Sequence, residues 1–145
     1  MMFGVSYMDY PRFALRSRAG EAIQVVEGER CVHALRAIGI TATTNEGGAG
    51  KWRHGHSECL RNAKCVVIWP DSDAVGATHA GLVGGALHSV GVGDIRIATL
   101  PGVEFGDIAE WIGTQWTTRR VPDIRADVLA VASMARLWAP GSRGD

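Results

Sequence analysis

The fold of this chain is decided by residues 65–73, which read CVVIWPDSD. Five apolar residues without a break are typical of a short strand that is buried on both faces, as in a parallel sheet. Pro70 ends this run, and Asp71 and Asp73 follow at once. Ligands of open α/β folds bind in the crevice beyond the carboxyl ends of parallel strands. We therefore expect the two aspartates to face such a crevice.

A second acidic signature follows an earlier run of strand-forming residues. Residues 22–29 read AIQVVEGE. If both runs are parallel strands, their carboxyl ends point the same way, and Glu27 faces Asp71 and Asp73 across a neighbouring crevice. Clustered carboxylates repel one another unless a hard divalent cation lies between them, and Mg²⁺ or Mn²⁺ takes such oxygen ligands. The alternative is that these acids are ordinary solvated turn residues.

Strand and helix patterns alternate along the chain, as in a parallel sheet with helices on both faces. The predicted strands are residues 22–27, 40–44, 65–69 and 95–100. The predicted helices are residues 30–38, a short helix capped by Ser57, 74–90, a helix starting at Asp107, and 124–138. Gly39 is expected to end the first helix. The pattern predicts an α/β, Rossmann-like fold with about four mainly parallel strands flanked by helices.

Two of these helices carry apolar stripes that are expected to pack on the sheet. In the helix 74–90 the stripe consists of Leu82, Val83, Ala86, Leu87 and Val90. In the helix 124–138 it consists of Val128, Val131, Ala132 and Ala135.

Length and composition favour one globular domain with a proper core. The chain has 145 residues, of which 46% are hydrophobic and 21% charged. Fifteen basic and fifteen acidic side chains cancel, so any basic face for nucleic acid must be local. The three cysteines lack the spacing of a disulfide framework, which suits a reducing compartment. No apolar run is long enough for a signal peptide or a membrane span. We therefore expect a cytoplasmic protein without a membrane partner.

Three acidic motifs are spaced along the chain: EGE at 27–29, DSD at 71–73 with Gly76 close behind, and GD at 106–107. Together they resemble the Toprim domain of primases, topoisomerases and related nucleases. The intervening segments are similar to Toprim domains of phage and plasmid primases or primase-helicases. These segments are IGITATTN at 38–45, GGAGKW at 47–52, LPG at 100–102 and GDIAEWI at 106–112.

The resemblance covers residues 23–112. It implies an N-terminal extension at 1–20, a Toprim domain at 21–120, and a C-terminal helix and tail at 121–145. One position departs from the pattern, because Cys31 stands where primase-type Toprim domains often carry an acid.

The resemblance implies Mg²⁺-dependent nucleotidyl or phosphoryl transfer on nucleic acid, most closely as the Toprim part of a DNA primase from a phage, plasmid or other mobile element. Asp71 and Asp73 would hold Mg²⁺ or Mn²⁺, and Asp107 would assist a second ion. Glu27 would act as general base or complete the metal shell. Asp107 is equally suited to cap a helix.

The partners that the resemblance implies are a single-stranded DNA template, nucleotides, and a helicase or zinc-binding primase partner. The opposing hypothesis is a non-catalytic Toprim module that binds metal and nucleic acid within a larger replication assembly.

A glycine-rich loop at residues 45–51 is a candidate phosphate cradle, because glycine amides and a lysine can converge on an anion. It is not a Walker A loop, since Asn45 and Trp52 stand where that pattern requires Gly and Ser or Thr. Trp52 is either a stacking surface for a base or a structural residue packed under the loop. The candidate nucleotide and nucleic-acid contacts are Gly28, Gly48, Gly50, Lys51, Trp52 and Arg53.

Two other kinds of site are disfavoured. The segment DSDAV at 71–75 resembles the first motif of haloacid-dehalogenase phosphatases, but these enzymes need a later lysine and Lys64 is the last one. A phosphatase of that type remains a minor alternative. Zinc is not expected, because the available ligands miss the usual paired-cysteine spacing. Those ligands are His54, His56, Cys59 and Cys65.

Overall fold

The computed structural model describes residues 22–45, 50–100 and 105–140. Within these ranges the strands are β1 (Ile23–Val26), β2 (Ala42–Thr43), β3 (Val66–Trp69), β4 (Ile95–Ile97) and β5 (Arg136–Leu137). The helices are α1 (Glu29–Ala37), α2 (His54–Cys59), α3 (Ala74–Ser89), α4 (Ile108–Gln115) and α5 (Val121–Ser133). The predicted N-terminal extension and Gly48 lie outside the described residues.

The strands form one sheet in the order β2-β1-β3-β4-β5. The first four are parallel to one another, and β5 runs antiparallel to β4. Val26, the last residue of β1, lies opposite Trp69, the last residue of β3. This register brings the acids that follow the two strands to the same edge of the sheet. The prediction of an α/β fold with a mainly parallel sheet is confirmed.

Alternating side chains of the strands fill two separate cores. On one face, Val26, Val67 and Trp69 pack with α1, α4 and α5. On the other face, Val25 and Ile68 pack with α3 and with residues around α2. Strands buried on both faces read as continuous apolar runs because neither face meets water. The buried amide of Gln24 accepts a hydrogen bond from Trp69 Nε1 at 2.5 Å, which satisfies both polar groups.

The predicted helix over residues 124–138 is wrong at both ends. The helix α5 begins at Val121 and carries Pro122 in its first turn, where the missing N–H of proline removes no helical hydrogen bond. It ends at Ser133, and Arg136 and Leu137 form a fifth strand that the sequence did not predict. Ile124 and Val128 lie in the same core as β1 and β3, so the C-terminal segment is part of the main sheet and core.

Two smaller predictions for the α3 face are also wrong. Leu82 was assigned to the buried stripe of α3 but is 46% exposed, because Gly76, His79, Ala80 and Val83 form the buried side. Ser57 does not cap α2: it lies within the helix, and its Oγ accepts a hydrogen bond from Trp52 Nε1 at 2.8 Å. Across the described ranges, no helix has the length and apolarity needed to cross a membrane.

Candidate functional site

The ends of three neighbouring strands are tied together by hydrogen bonds from the main chain. Glu27 follows β1, and its Oε2 accepts a hydrogen bond from the main-chain N–H of Asp71, beyond β3, at 2.8 Å. Gly28 has a φ of 103°, a value that favours glycine, and turns the chain into α1. Its N–H donates to Thr44 Oγ1, beyond β2, at 2.9 Å. The first acidic motif is thus fixed against both neighbouring strands.

Gly76 of α3 lies directly against the contact between Glu27 and Asp71. A Cβ atom at Gly76 would stand 2.4 Å from the main-chain oxygen of Asp71 and 2.9 Å from Glu27 Oε2. These separations are too short for carbon, so only glycine lets α3 approach the two acidic motifs so closely. This close packing explains why a glycine, Gly76, follows the DSD motif in the sequence.

Asp73 begins α3 as its N-cap. Its Oδ1 accepts a hydrogen bond from the N–H of Gly76 at 2.5 Å, which pairs one of the free amides at the helix N-terminus. Between the two aspartates, Ser72 ties the motif to the loop before α4. Its N–H donates to the Gly106 carbonyl at 3.0 Å, and its hydroxyl donates to the Phe105 carbonyl at 2.9 Å. The third acidic motif is thereby held beside the second.

Asp107 has the N-cap role that was one of its two predicted roles. Its Oδ1 accepts a hydrogen bond from the N–H of Glu110 at 2.9 Å, while Oδ2 accepts from the guanidinium of Arg30. Glu110 Oε2 in turn accepts from the N–H of Gly106 at 2.5 Å. The assistance of a second metal ion by Asp107 stays a prediction.

Asp71 lies at the centre of this acidic cluster. Burial, together with the carboxylates of Glu27, Asp107 and Asp73, raises the pKa of its carboxyl to about 7, against the opposing charge of Arg30. The carboxylates of three other residues, from all three motifs, are therefore close enough to act on Asp71. A proton or a cation relieves their repulsion.

This elevated pKa predicts that the folded protein loses stability as the pH rises. The unfolded carboxyl titrates near 3.8 and the folded one near 7, so the contribution is fully present below pH 4 and is lost as the pH approaches and passes 7. Asp71 is only half-buried and water screens part of the repulsion, so we expect a loss of about 1 to 2 kcal/mol.

Urea unfolding of the wild type and of Asp71→Asn, from pH 4 to 8 without divalent ions, measures this effect. The stability of the asparagine variant should not fall in this way between pH 4 and 8, and this variant should be the more stable protein at pH 8. Equal slopes in the two proteins would contradict the assignment.

Cys31, at the position that departs from the primase pattern, lies beside these carboxylates. It is 2% exposed, and burial raises the pKa of its thiol to about 12, with further contributions from Asp107 and Asp71. The side chain is therefore a protonated thiol that packs in the hydrophobic core between α1 and the sheet. Cys31 therefore packs as a small apolar residue.

His79 connects the glycine-rich loop to the acidic cluster. The N–H of Gly50 donates to His79 Nδ1 at 2.9 Å, and the ring is 4% exposed. Burial lowers the pKa of His79, and the nearby Glu27 carboxylate opposes this shift. Because Nδ1 accepts the hydrogen bond from Gly50, the neutral ring carries its proton on Nε2. This contact holds the described end of the loop beside Glu27.

The predicted nucleotide contacts have different environments. Lys51 and Arg53 are exposed, whereas Trp52 is 8% exposed and packs in the core, as the structural alternative predicts. The amides of Gly28 and Gly50 donate to Thr44 and His79, which leaves neither of them to cradle a phosphate in this conformation.

The candidate zinc ligands have other contacts. His54 Nε2 lies 3.2 Å from Glu58 Oε1, and His56 Nδ1 accepts a hydrogen bond from the N–H of Arg53 at 2.9 Å. In the part of the chain that the structure describes, no three His, Cys, Asp or Glu side chains already converge as a formed metal site.

Two residues of the site, Arg30 and His79, were not identified from the sequence. Arg30 is adjacent to the first acidic motif, and a polar His79 on the buried side of α3 is a recognisable exception to its apolar surroundings. No family model matches this chain, and no curated protein sequence matches it.

Proposed function

We propose that this chain binds Mg²⁺ or Mn²⁺ at the carboxyl edge of its sheet and uses it for phosphoryl or nucleotidyl transfer on nucleic acid, as the Toprim part of a DNA primase. The observation that carries the proposal is the contact between Glu27 Oε2 and the N–H of Asp71, which joins two acidic motifs separated by more than forty residues. The resemblance of the three motifs to primase-type Toprim domains supports the finer assignment.

The donor set suits a hard cation. Mg²⁺ keeps several waters and usually takes one or two carboxylates together with substrate phosphates, so a complete protein cage is not required. Asp71 and Asp73 would provide these carboxylates, since both follow β3 within one turn. Capping α3 engages Oδ1 of Asp73, and a carboxylate has a second oxygen with which to bind a cation.

The protein side chains would bind the substrate and move one proton. Lys51 and Arg53 are exposed beside the loop that His79 holds near Glu27, and they would contact the phosphates of a template strand. Glu27 Oε2 is held by the N–H of Asp71, and Oε1 would take the proton from the attacking hydroxyl. The bound cation would offset the negative charge on the transferring phosphate.

Calorimetric titration with Mg²⁺ tests the metal site. Wild type should bind the ion, and the double variant Asp71→Asn, Asp73→Asn should lose binding because both charged ligands are removed. Asparagine caps helices as well as aspartate, so α3 should remain intact. Asp94→Asn is the matched control, because Asp94 precedes β4 and so lies at the amino ends of the parallel strands, away from the proposed site. Equal Mg²⁺ affinity in the wild type and the double variant would refute the site.

A non-catalytic Toprim module is the second candidate function, and one observation favours it. Glu27, Asp73 and Asp107 each accept a hydrogen bond from a main-chain amide, which gives each a structural role that needs no chemistry. Such a module would bind metal and nucleic acid but would leave every strand intact. Loss of activity in a Glu27 variant distinguishes the two candidates.

A further inference from the structure

A cleft of about 880 Å³ opens beside Asp71 and Asp73, on the α3 face of the sheet. Its floor is the end of β4 and the residues that follow it, 97–100. Its volume lies within the range of ligand-binding pockets, about 300 to 1,000 Å³. The acidic cluster therefore borders a space that is large enough for a nucleotide.

The cleft exists because one side of α3 carries only small side chains. Its wall consists of Ala74, Ala77, Thr78 and Gly81, which recur at helical spacing and face the end of β4. The opposite surface includes the apolar Ile97 and Leu100, with the exposed Thr99 between them. A slot with apolar groups and a hydroxyl on each wall suits a flat base and its sugar.

A cation borders the far side of the cleft. Arg136 of β5 is paired in register with Ile97, so both side chains lie on the α3 face, and Arg136 is exposed. Two strand spacings, about 10 Å, separate β5 from β3, the strand that leads to Asp71. The cleft thus has a carboxylate end, an apolar middle and an arginine rim. Lys51 belongs to the loop bound to His79, on the other side of α3.

We propose that this cleft holds one nucleoside phosphate, with its phosphate toward Asp71 and Asp73, its base between α3 and β4, and Arg136 on an anionic group at the rim. The inference rests on the proposed function, because Mg²⁺ at the two aspartates would attract the phosphate. It places the base on the β4 side of α3, away from the glycine-rich loop on which the sequence motifs had focused.

Calorimetry with ATP and with a short 5′-phosphorylated DNA single strand, each with Mg²⁺, tests the cleft. Ala77→Leu fills its centre, and Arg136→Gln removes the charge at its rim. Both variants should bind at least one of the two probes about tenfold more weakly than the wild type. Leucine at residue 77 occupies the space of the base, and the charged hydrogen bond lost with Arg136 is worth roughly that factor. If the cleft variants bind ATP more weakly, the ligand is a free nucleotide. If they weaken only the binding of the DNA strand, the ligand is the phosphorylated end of a strand.

Two matched variants control for general effects. Ser89→Leu adds a leucine at the other end of α3, and Arg36→Gln removes an exposed charge from α1. Both should bind the probes as the wild type does, and thermal melting checks that all four variants fold. Arg136→Gln keeps the test decisive if Ala77→Leu fails to fold.

The outcomes separate this inference from the proposed function. Wild-type probe affinity in both cleft variants, or no binding of either probe by the wild type, overturns the cleft whatever the metal titration shows. If the aspartate double variant binds Mg²⁺ normally, the proposed function fails, and the cleft is then judged on probe binding without Mg²⁺. Weakened probe binding by the cleft variants with unchanged Mg²⁺ affinity supports it.

Discussion

Replacing Glu27 by glutamine should lower the rate of metal-dependent oligonucleotide synthesis by about 10²-fold to 10⁴-fold, the typical cost of losing a general base. The amide cannot take a proton, but its oxygen can still accept the hydrogen bond that Glu27 Oε2 receives from the N–H of Asp71. The fold and nucleotide binding should therefore be retained. Primer synthesis on single-stranded DNA measures the rate, with any zinc-binding primase segment or helicase encoded next to the chain added to the assay.

Glu29→Gln is the matched control for this experiment. Glu29 belongs to the same acidic motif but is exposed at the start of α1, so its variant should keep wild-type activity. If Glu27→Gln and Glu29→Gln retain equal activity, Glu27 is not the base. If the wild type with its partners makes no oligonucleotide and cuts no strand, yet binds metal and DNA, the non-catalytic module is the correct function.

Adding one methyl group at Gly76 should destabilise the protein and also weaken metal binding. The new Cβ would overlap the main-chain oxygen of Asp71, which cannot rotate away as the end of a flexible side chain would. Overpacking of this kind typically costs about 1 to 3 kcal/mol. To relieve it, α3 must move away from Asp71 and Glu27 and carry its N-cap, the proposed metal ligand Asp73, with it. Urea unfolding and Mg²⁺ titration of Gly76→Ala measure the two effects.

Gly85→Ala in the same helix should have the opposite effect on stability. The nearest heavy atom to a Cβ at Gly85 is Cζ2 of Trp138, at the ordinary contact distance of 3.9 Å. Alanine there should stabilise α3 by about 0.5 to 1 kcal/mol, because it is the better helix former. The pair separates local crowding at the site from the general effect of alanine in α3. Equal free energies of unfolding in the two variants would contradict the crowding argument.

The position of the acidic site could be predicted because it follows from local sequence alone. An unbroken apolar run such as that ending at Trp69 specifies a buried parallel strand, and the residues after it must lie at the edge of the sheet. Which oxygen accepts which hydrogen bond could not be predicted. The bond from the N–H of Asp71 to Glu27 depends on the register of β1 with β3, and register is a tertiary property.

The errors, and the alternatives that the sequence left open, have the same origin in tertiary packing. Trp52 was left open between stacking and core because burial depends on where α2 packs, which no local pattern encodes. Leu82 looked buried because α3 is apolar on most of its circumference, so the stripe does not indicate which side faces the sheet. The two residues of β5 are too few to show any alternation of polar and apolar side chains. They form a strand because they pair with the outer edge of β4, which has no other neighbouring strand in the described sheet.

The short strand β5 also covers an edge of the sheet that could otherwise pair with another molecule. It covers the outer side of β4 with main-chain hydrogen bonds, and a strand without such cover presents a row of unpaired amides and carbonyls to other molecules. A chain that ends at residue 120, the domain end that the resemblance implies, would lack β5, Ile124 and Val128. It would expose that row together with the core surface that these two residues cover. The isolated segment would then be prone to self-association through β4, so the edge of this sheet is covered by residues that lie beyond the three acidic motifs.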